Sequence, residues 1–137
     1  IHSVYQPAHL AKIDATAVGC GKVQDILIEV NVSGEKSKGG VAPEDLPAML
    51  NEAAQHPHVA VRGLMTMAPQ GDLEVARACF ARLRILRDDI NANLLPAEAL
   101  RMSELSMGMS EDWRCAIAEG ATIIRIGRAI FSEDFAG

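Results

Sequence analysis

Asp25-Ile26-Leu27-Ile28-Glu29-Val30-Asn31-Val32 is the stretch that decides the fold. Its apolar residues run almost without interruption, where a half-exposed strand would alternate with polar ones. Burial on both faces is what such a run implies, and that is the condition of a strand in a parallel sheet covered by helices.

The flanking sequence repeats the theme. Ile1 to Tyr5 reads as a short strand, and Ala60 to Met67, Arg101 to Met107 and Thr122 to Ile126 read as three more. Between them the apolar residues switch to helical steps. Pro7 fits the first turn of a helix that carries Leu10, Ile13 and Ala17 and ends at Gly19. Pro43, Glu44 and Asp45 open a helix through Gln55 that is predicted to bury Leu46, Leu50 and Ala54. Asp72 to Asn93 predicts a long helix with Ala76, Cys79, Phe80, Leu83, Leu86 and Ile90 inward. Ser110 is the predicted cap of a further helix, with Glu111 and Asp112 in its first turn and Gly120 at its close. Ser33 to Gly40 is a Gly/Ser/Lys loop. Strands followed in turn by helices give an α/β chain with a parallel sheet and right-handed crossovers. Two architectures fit: an open doubly wound sheet, or part of a (β/α)8 barrel.

Composition narrows the function. The 137 residues are 49% hydrophobic and 23% charged, enough for one domain with a core. A formal net charge of −5 argues against nucleic-acid or anionic-membrane partners. Arg77, Arg82, Arg84 and Arg87 fall on one helix, interleaved with acids, and read as a solvated face. Cys20, Cys79 and Cys115 are scattered, with no C-x-x-C pair, which suits reduced thiols and a cytoplasmic protein. No run reaches the roughly 18 apolar residues of a membrane span. His2, His9, His56 and His58 lack ligand spacing and read as loop or core histidines. The opening Ile1, inside a strand, reads as a cut.

Two polar breaks carry the chemistry. Leu105-Ser106-Met107-Gly108-Met109-Ser110 and Arg125-Ile126-Gly127-Arg128 each follow an apolar run near the end of the chain. A strand that ends in Ser and Gly offers a hydroxyl and backbone N–H groups, and a helix starting near Ser110 would add the positive end of its dipole. That combination suits a phosphorylated small molecule. In barrels the loops after the last two strands often hold phosphate, which favours the barrel. The plainer reading, that Ser106 and Gly108 only end a strand and enter a turn, stays open. Arg125 within an apolar strand calls for a buried anionic or aromatic partner. Met65, Met67, Met107 and Met109 serve either as core filler or as pocket lining. Asn31 and Glu35, at a strand end, are further ligand candidates.

These segments occur in one order: Ile1-His2-Ser3-Val4; Val30-Asn31-Val32-Ser33-Gly34-Glu35 with Ser37-Lys38-Gly39-Gly40; Arg62-Gly63-Leu64-Met65-Thr66-Met67; and the two polar breaks. The series resembles the YggS/PROSC family of pyridoxal 5′-phosphate homeostasis proteins, relatives of the alanine racemase barrel. The resemblance implies that residues 1–137 form the C-terminal portion of a pyridoxal-phosphate-binding barrel, covering about its last five strands. It implies a carrier of vitamin B6 with no established reaction. It also implies phosphate contact by Ser106 and by backbone groups of Gly127 and Arg128, with Arg125 facing the pyridine nitrogen.

The departures matter as much. The family's cofactor-bearing lysine lies on the first barrel strand, so the resemblance implies that it is absent here. Lys12, Lys22, Lys36 and Lys38 fall on predicted helix or loop positions. Arg128, where a small hydroxyl residue is frequent, either adds charge to the phosphate site or points outward. A barrel cut in this way has two unpaired edges, through which copies are expected to associate. Rival readings are part of an alanine-racemase-like amino-acid enzyme and a remnant that binds nothing.

Overall fold

The computed structural model describes residues 1–35, 39–94 and 101–133. Among these residues three regular strands form one parallel sheet in the order β1 (Gln24–Glu29), β2 (Val59–Met65), β3 (Glu104–Ser106). Single parallel bridges, Val4 to Ile28 and Ser106 to Ile123, add a segment on each side. All five predicted strand segments are therefore parallel neighbours in chain order. The outer two shrink to one bridge each because each has a partner on one side only. Beyond Glu29, Val30 donates to the Met65 carbonyl at 2.8 Å and bridges Val41, so regular pairing covers only the Asp25–Glu29 part of the predicted run.

Among the described residues five helices flank the strands: α1 (Pro7–Gly19), α2 (Leu46–Ala53), α3 (Leu73–Asn93), α4 (Trp113–Ala118) and α5 (Arg128–Phe131). Pro7 sits in the first turn of α1 as expected. Asp72 starts α3 by accepting hydrogen bonds from the N–H groups of Glu74 and Val75 at 2.9 and 3.2 Å. α2 corrects its predicted face. A 3₁₀ turn at Pro43–Asp45 precedes it, and the buried residues are Leu46, Met49 and Ala53, while Leu50 is partly buried and Ala54 exposed. At 100° per residue, Ala53 returns to within about 20° of Leu46, and Ala54 swings about 80° past it.

The two faces of the sheet have different tasks. Ile26, Ile28, Leu64, Leu105 and Met107 pack with Leu10, Leu46, Met49, Phe80, Leu83 and Ile90 in the core between sheet and helices. Register puts Leu27, Gly63 and Glu104 in one row of the opposite face, and Glu29, Met65 and Ser106 in the next. Gly63 belongs there because a Cβ would lie 1.9 Å from the Glu104 carbonyl oxygen, inside backbone.

This second face is concave. His2, before the Val4 bridge, hydrogen-bonds through Nδ1 to Ser106 Oγ at 2.9 Å, across β1 and β2. In a flat sheet the two segments would stand roughly 14 Å apart, three strand spacings. Only a strongly curled sheet brings them together, and Ile1 and Ile123, from the two outer segments, line one cavity of about 400 Å³.

The arginine face of α3 is not merely solvated. Arg77 and Arg84 pair with Glu119 after α4 at 3.1 and 3.4 Å, Arg82 donates to the Val32 carbonyl at 3.1 Å, and Arg87 donates to the Ser103 carbonyl at 2.9 Å. These arginines tie the helix to three neighbouring segments.

Candidate functional site

The site lies where the strands end. Ser106 closes β3 and is fully buried. Arg125 NH1 donates to Ser106 Oγ at 2.8 Å, and NH2 donates to the carbonyl of Thr66, just beyond β2, at 3.2 Å. Thr66 is itself fixed: its N–H donates to the Ser106 carbonyl at 3.1 Å, and its hydroxyl donates to the Val30 carbonyl at 2.8 Å. The Arg125 N–H donates to the Gly108 carbonyl at 2.9 Å. One guanidinium thus bridges the ends of two strands, and the Arg125 backbone is held by the turn that follows β3.

Electrostatics follow from this crowding. Burial pulls the Arg125 guanidinium below its usual range, while Asp112 and Glu29 pull it back up. It stays charged. Burial also lowers the His2 imidazole, and the positive charges of the Ile1 amine and Arg125 lower it further. A neutral His2 with a bare Nδ1 accepts a hydrogen bond from the Ser106 hydroxyl while Ser106 Oγ accepts from Arg125, so that hydroxyl serves as donor and acceptor at once.

A second cluster adjoins it. Gly108 has φ +94°, and a Cβ there would lie 2.6 Å from the Ala116 Cβ. The tight turn it allows brings Ser110 back under the last segment, where Ser110 Oγ accepts from the Ala129 N–H at 3.0 Å. Asp112 Oδ1 accepts from the Met109 N–H at 2.6 Å and fixes the same turn. Ser110 is therefore no helix cap: α4 starts at Trp113 and has six residues. Ser110 instead sits beside the exposed Gly127–Arg128 backbone that opens α5. As at any helix start, the first N–H groups have no acceptor within the helix.

The four sequence-predicted residues thus fall into two groups. Ser106 and Arg125 are bonded to each other. Gly127 and Arg128 lie two and three residues further on, joined to the first loop through Ser110. The Arg128 guanidinium pairs with Glu111 at 2.6 Å on the surface, so its side chain points outward. Asn31 is occupied by its own loop: its amide donates to the Glu35 carbonyl at 2.9 Å and its Oδ1 accepts from the Gly34 N–H at 3.1 Å. Met107 is core filler and Met65 is buried on the concave face, while Met67 is exposed.

His2, Thr66 and Glu29 escaped the sequence reading as members of this region, and Ser110, named in the first polar break, was expected there as a helix cap. His2 and Thr66 stood inside quoted motifs, but only the curl of the sheet brings them to Ser106. Lys12 and Lys22 are exposed, and Lys36 and Lys38 lie outside the described residues. Among the described residues no group of three or more His, Cys, Asp or Glu is placed to hold a metal, and no helix is long and apolar enough to cross a membrane.

Comparison with known proteins extends this picture. A pyridoxal phosphate homeostasis protein of Aquifex aeolicus is 44% identical over 134 residues, covering 97% of this chain and 57% of that protein. Another, from Pseudomonas aeruginosa, is 47% identical over 108 residues, covering 78% of this chain and 44% of its own length. The chain thus spans about half the length of the curated relatives it matches. PipY of Synechococcus elongatus, solved with PLP bound, superposes with a TM-score of 0.84 at 38% identity, covering 96% of this chain and 59% of PipY. The family model described as alanine racemase, N-terminal domain, matches residues 1–134, and the chain belongs to that family.

Proposed function

We propose that residues 1–137 are the C-terminal portion of a pyridoxal 5′-phosphate homeostasis protein and that they hold the phosphate-bearing half of its site. The observation that carries this reading is the pairing of Arg125 with Ser106 and Thr66 beside the Ser110–Ala129 contact, at the strand ends of a curled parallel sheet. A relative 38% identical has been solved with PLP bound.

The residues present fit such a ligand. A phosphate group needs donors with no competing acceptor, and the Gly127 and Arg128 N–H groups at the start of α5 provide them beside the Ser110 hydroxyl. Phosphate contact by Ser110 suits the geometry better than contact by Ser106, whose hydroxyl is already shared by Arg125 and His2. Ser106 then positions Arg125 toward the ring nitrogen. When bound, pyridoxal phosphate supplies an aldehyde and an electron-withdrawing ring, and a permanently charged arginine beside the nitrogen disfavours its protonation. That suits keeping the cofactor more than using it. Lys12 lies in α1 and Lys22 ahead of β1, and in this reading phosphate and ring contacts hold the ligand.

In the same reading the fold is five consecutive strands of a (β/α)8 barrel, working in the cytoplasm, where the three free thiols stay reduced. The outer strand segments each have one partner, and copies associate through them by added parallel pairing.

The test is titration of the purified chain with pyridoxal 5′-phosphate, following melting temperature and ligand absorbance before and after borohydride reduction. A rise in melting temperature with no borohydride-fixed adduct supports the reading. No response in either signal overturns it, and an adduct at one defined lysine overturns the claim that binding is non-covalent.

A further inference from the structure

We infer that Glu29 sets the charge that an anionic ligand meets in this site, by opposing Arg125 when it is a carboxylate and releasing Arg125 when it is protonated. This inference rests on the reading that the site takes a phosphorylated ligand. It is carried by where Glu29 lies. It is the last residue of β1, in register with Met65, which is itself in register with Ser106, so its side chain shares the concave face with the site. It is only 5% exposed, whereas a carboxylate on an outward face would simply be solvated.

Arg125 and His9 of α1 act on Glu29, and Arg125 is faced in turn by Asp112 of the turn before α4 and by His2. Burial raises the Glu29 carboxyl above its ordinary range, and the Arg125 and His9 charges lower it in part. Arg125 already donates to Ser106 and Thr66, so the guanidinium is fixed in place and its charge is what remains to be shared. A phosphorylated ligand carries about −1.5 to −2 charges near neutral pH. Held at the Gly127–Arg128 amides, that charge stands near Arg125 on the same face as the Glu29 carboxylate, so both draw on one cation's field and binding the ligand favours the protonated acid. In effect, ligand uptake draws a proton onto Glu29.

Two measurements test this. The first needs no ligand: the side-chain carboxyl carbon of Glu29 is followed by NMR against pH in the wild-type chain and in Arg125→Gln. The Glu29 resonance is expected to titrate above the ordinary glutamate range and to move higher in the variant. Titration in the ordinary range, or indifference to Arg125→Gln, overturns the inference. The second compares pyridoxal 5′-phosphate affinity of wild type and Glu29→Gln at pH 5.5 and pH 8. The variant is expected to bind about tenfold tighter than wild type at pH 8 and within about twofold at pH 5.5. The ligand's own phosphate titrates equally in both, so the ratio isolates Glu29. An equal ratio at both pH values overturns this inference and leaves the ligand reading standing. Absence of binding by both chains at both pH values overturns the two together.

Discussion

Arg125 reaches Thr66 and Ser106 with separate nitrogens of one guanidinium, at 3.2 and 2.8 Å, so the end of β3 and the residue following β2 are clamped by a side chain from neither.

Replacing Arg125 by Lys keeps the charge and loses the clamp, since one ammonium cannot serve two acceptors held apart by a rigid fork. Arg125→Lys is expected to weaken pyridoxal 5′-phosphate binding by about tenfold, read by fluorescence titration. Affinity unchanged in the variant would show that the fork itself plays no part in binding.

The two serines separate by function. Ser110→Ala removes the hydroxyl beside the Gly127–Arg128 amides and is expected to weaken binding of both pyridoxal 5′-phosphate and inorganic phosphate by about tenfold. Arg128→Ala, whose guanidinium faces Glu111, is expected to stay within about twofold. Isothermal titration of both ligands checks the pair, and the reverse order of effects would put the Arg128 side chain in the site.

Gly108 and Gly127 are both in the polar breaks, yet their substitutions should differ sharply. Gly108→Ala puts a methyl 2.6 Å from Ala116 at φ +94°, whereas a Cβ at Gly127 meets open space. The first is expected to cost about 2–4 kcal/mol of folding stability and the second under about 1 kcal/mol, measured by urea unfolding.

Glu104 links the last two segments. Its carboxylate accepts from the Thr122 and Ser103 hydroxyls at 2.7 Å each, and these hydrogen bonds hold its pKa below the ordinary glutamate value. A folded pKa below the unfolded one means the unfolded chain binds the proton more readily. The stabilisation is present above the unfolded pKa and is lost as pH falls through the folded one. Glu104→Gln is expected to flatten the fall in melting temperature below about pH 4.5. An unchanged acid limb would show that the hydroxyl bonds contribute nothing to stability.

How much of this was legible in the sequence depends on whether a residue's role is set locally. The α3 span was readable because Ala76, Cys79, Phe80, Leu83 and Ile90 recur on one face, all buried, and Asp72 announces the start. Ser106 and Arg125 were readable because a hydroxyl and a cation stand out among apolar strand residues. Ser110 misled because Ser followed by two acids is a local cap signal, while its partner, the Ala129 N–H, lies on a different element. His2 and Thr66 were hidden for the same reason: their partners arrive through the curl of the sheet, a cumulative property of five segments that no window of sequence contains. The outer strands were overestimated because apolar content reports burial and says little about pairing.

The pairing of β1 with β2 slips once, from Ile26 opposite Val61 to Leu27 opposite Gly63, leaving Arg62 as an extra residue. Core-facing positions on β2 are consequently Val61 and Leu64, three apart where an unbroken strand would place them two apart. This slip works as a phase setting for everything downstream. Many side chains would serve at position 62, and its loss would leave Val61, Gly63 and Leu64 in plain alternation, whereas drawing Arg62 into regular pairing would turn Leu64 out of the core and Met65 into it. The position is therefore predicted to tolerate both substitution and its own deletion, so long as Gly63 keeps its place opposite Leu27.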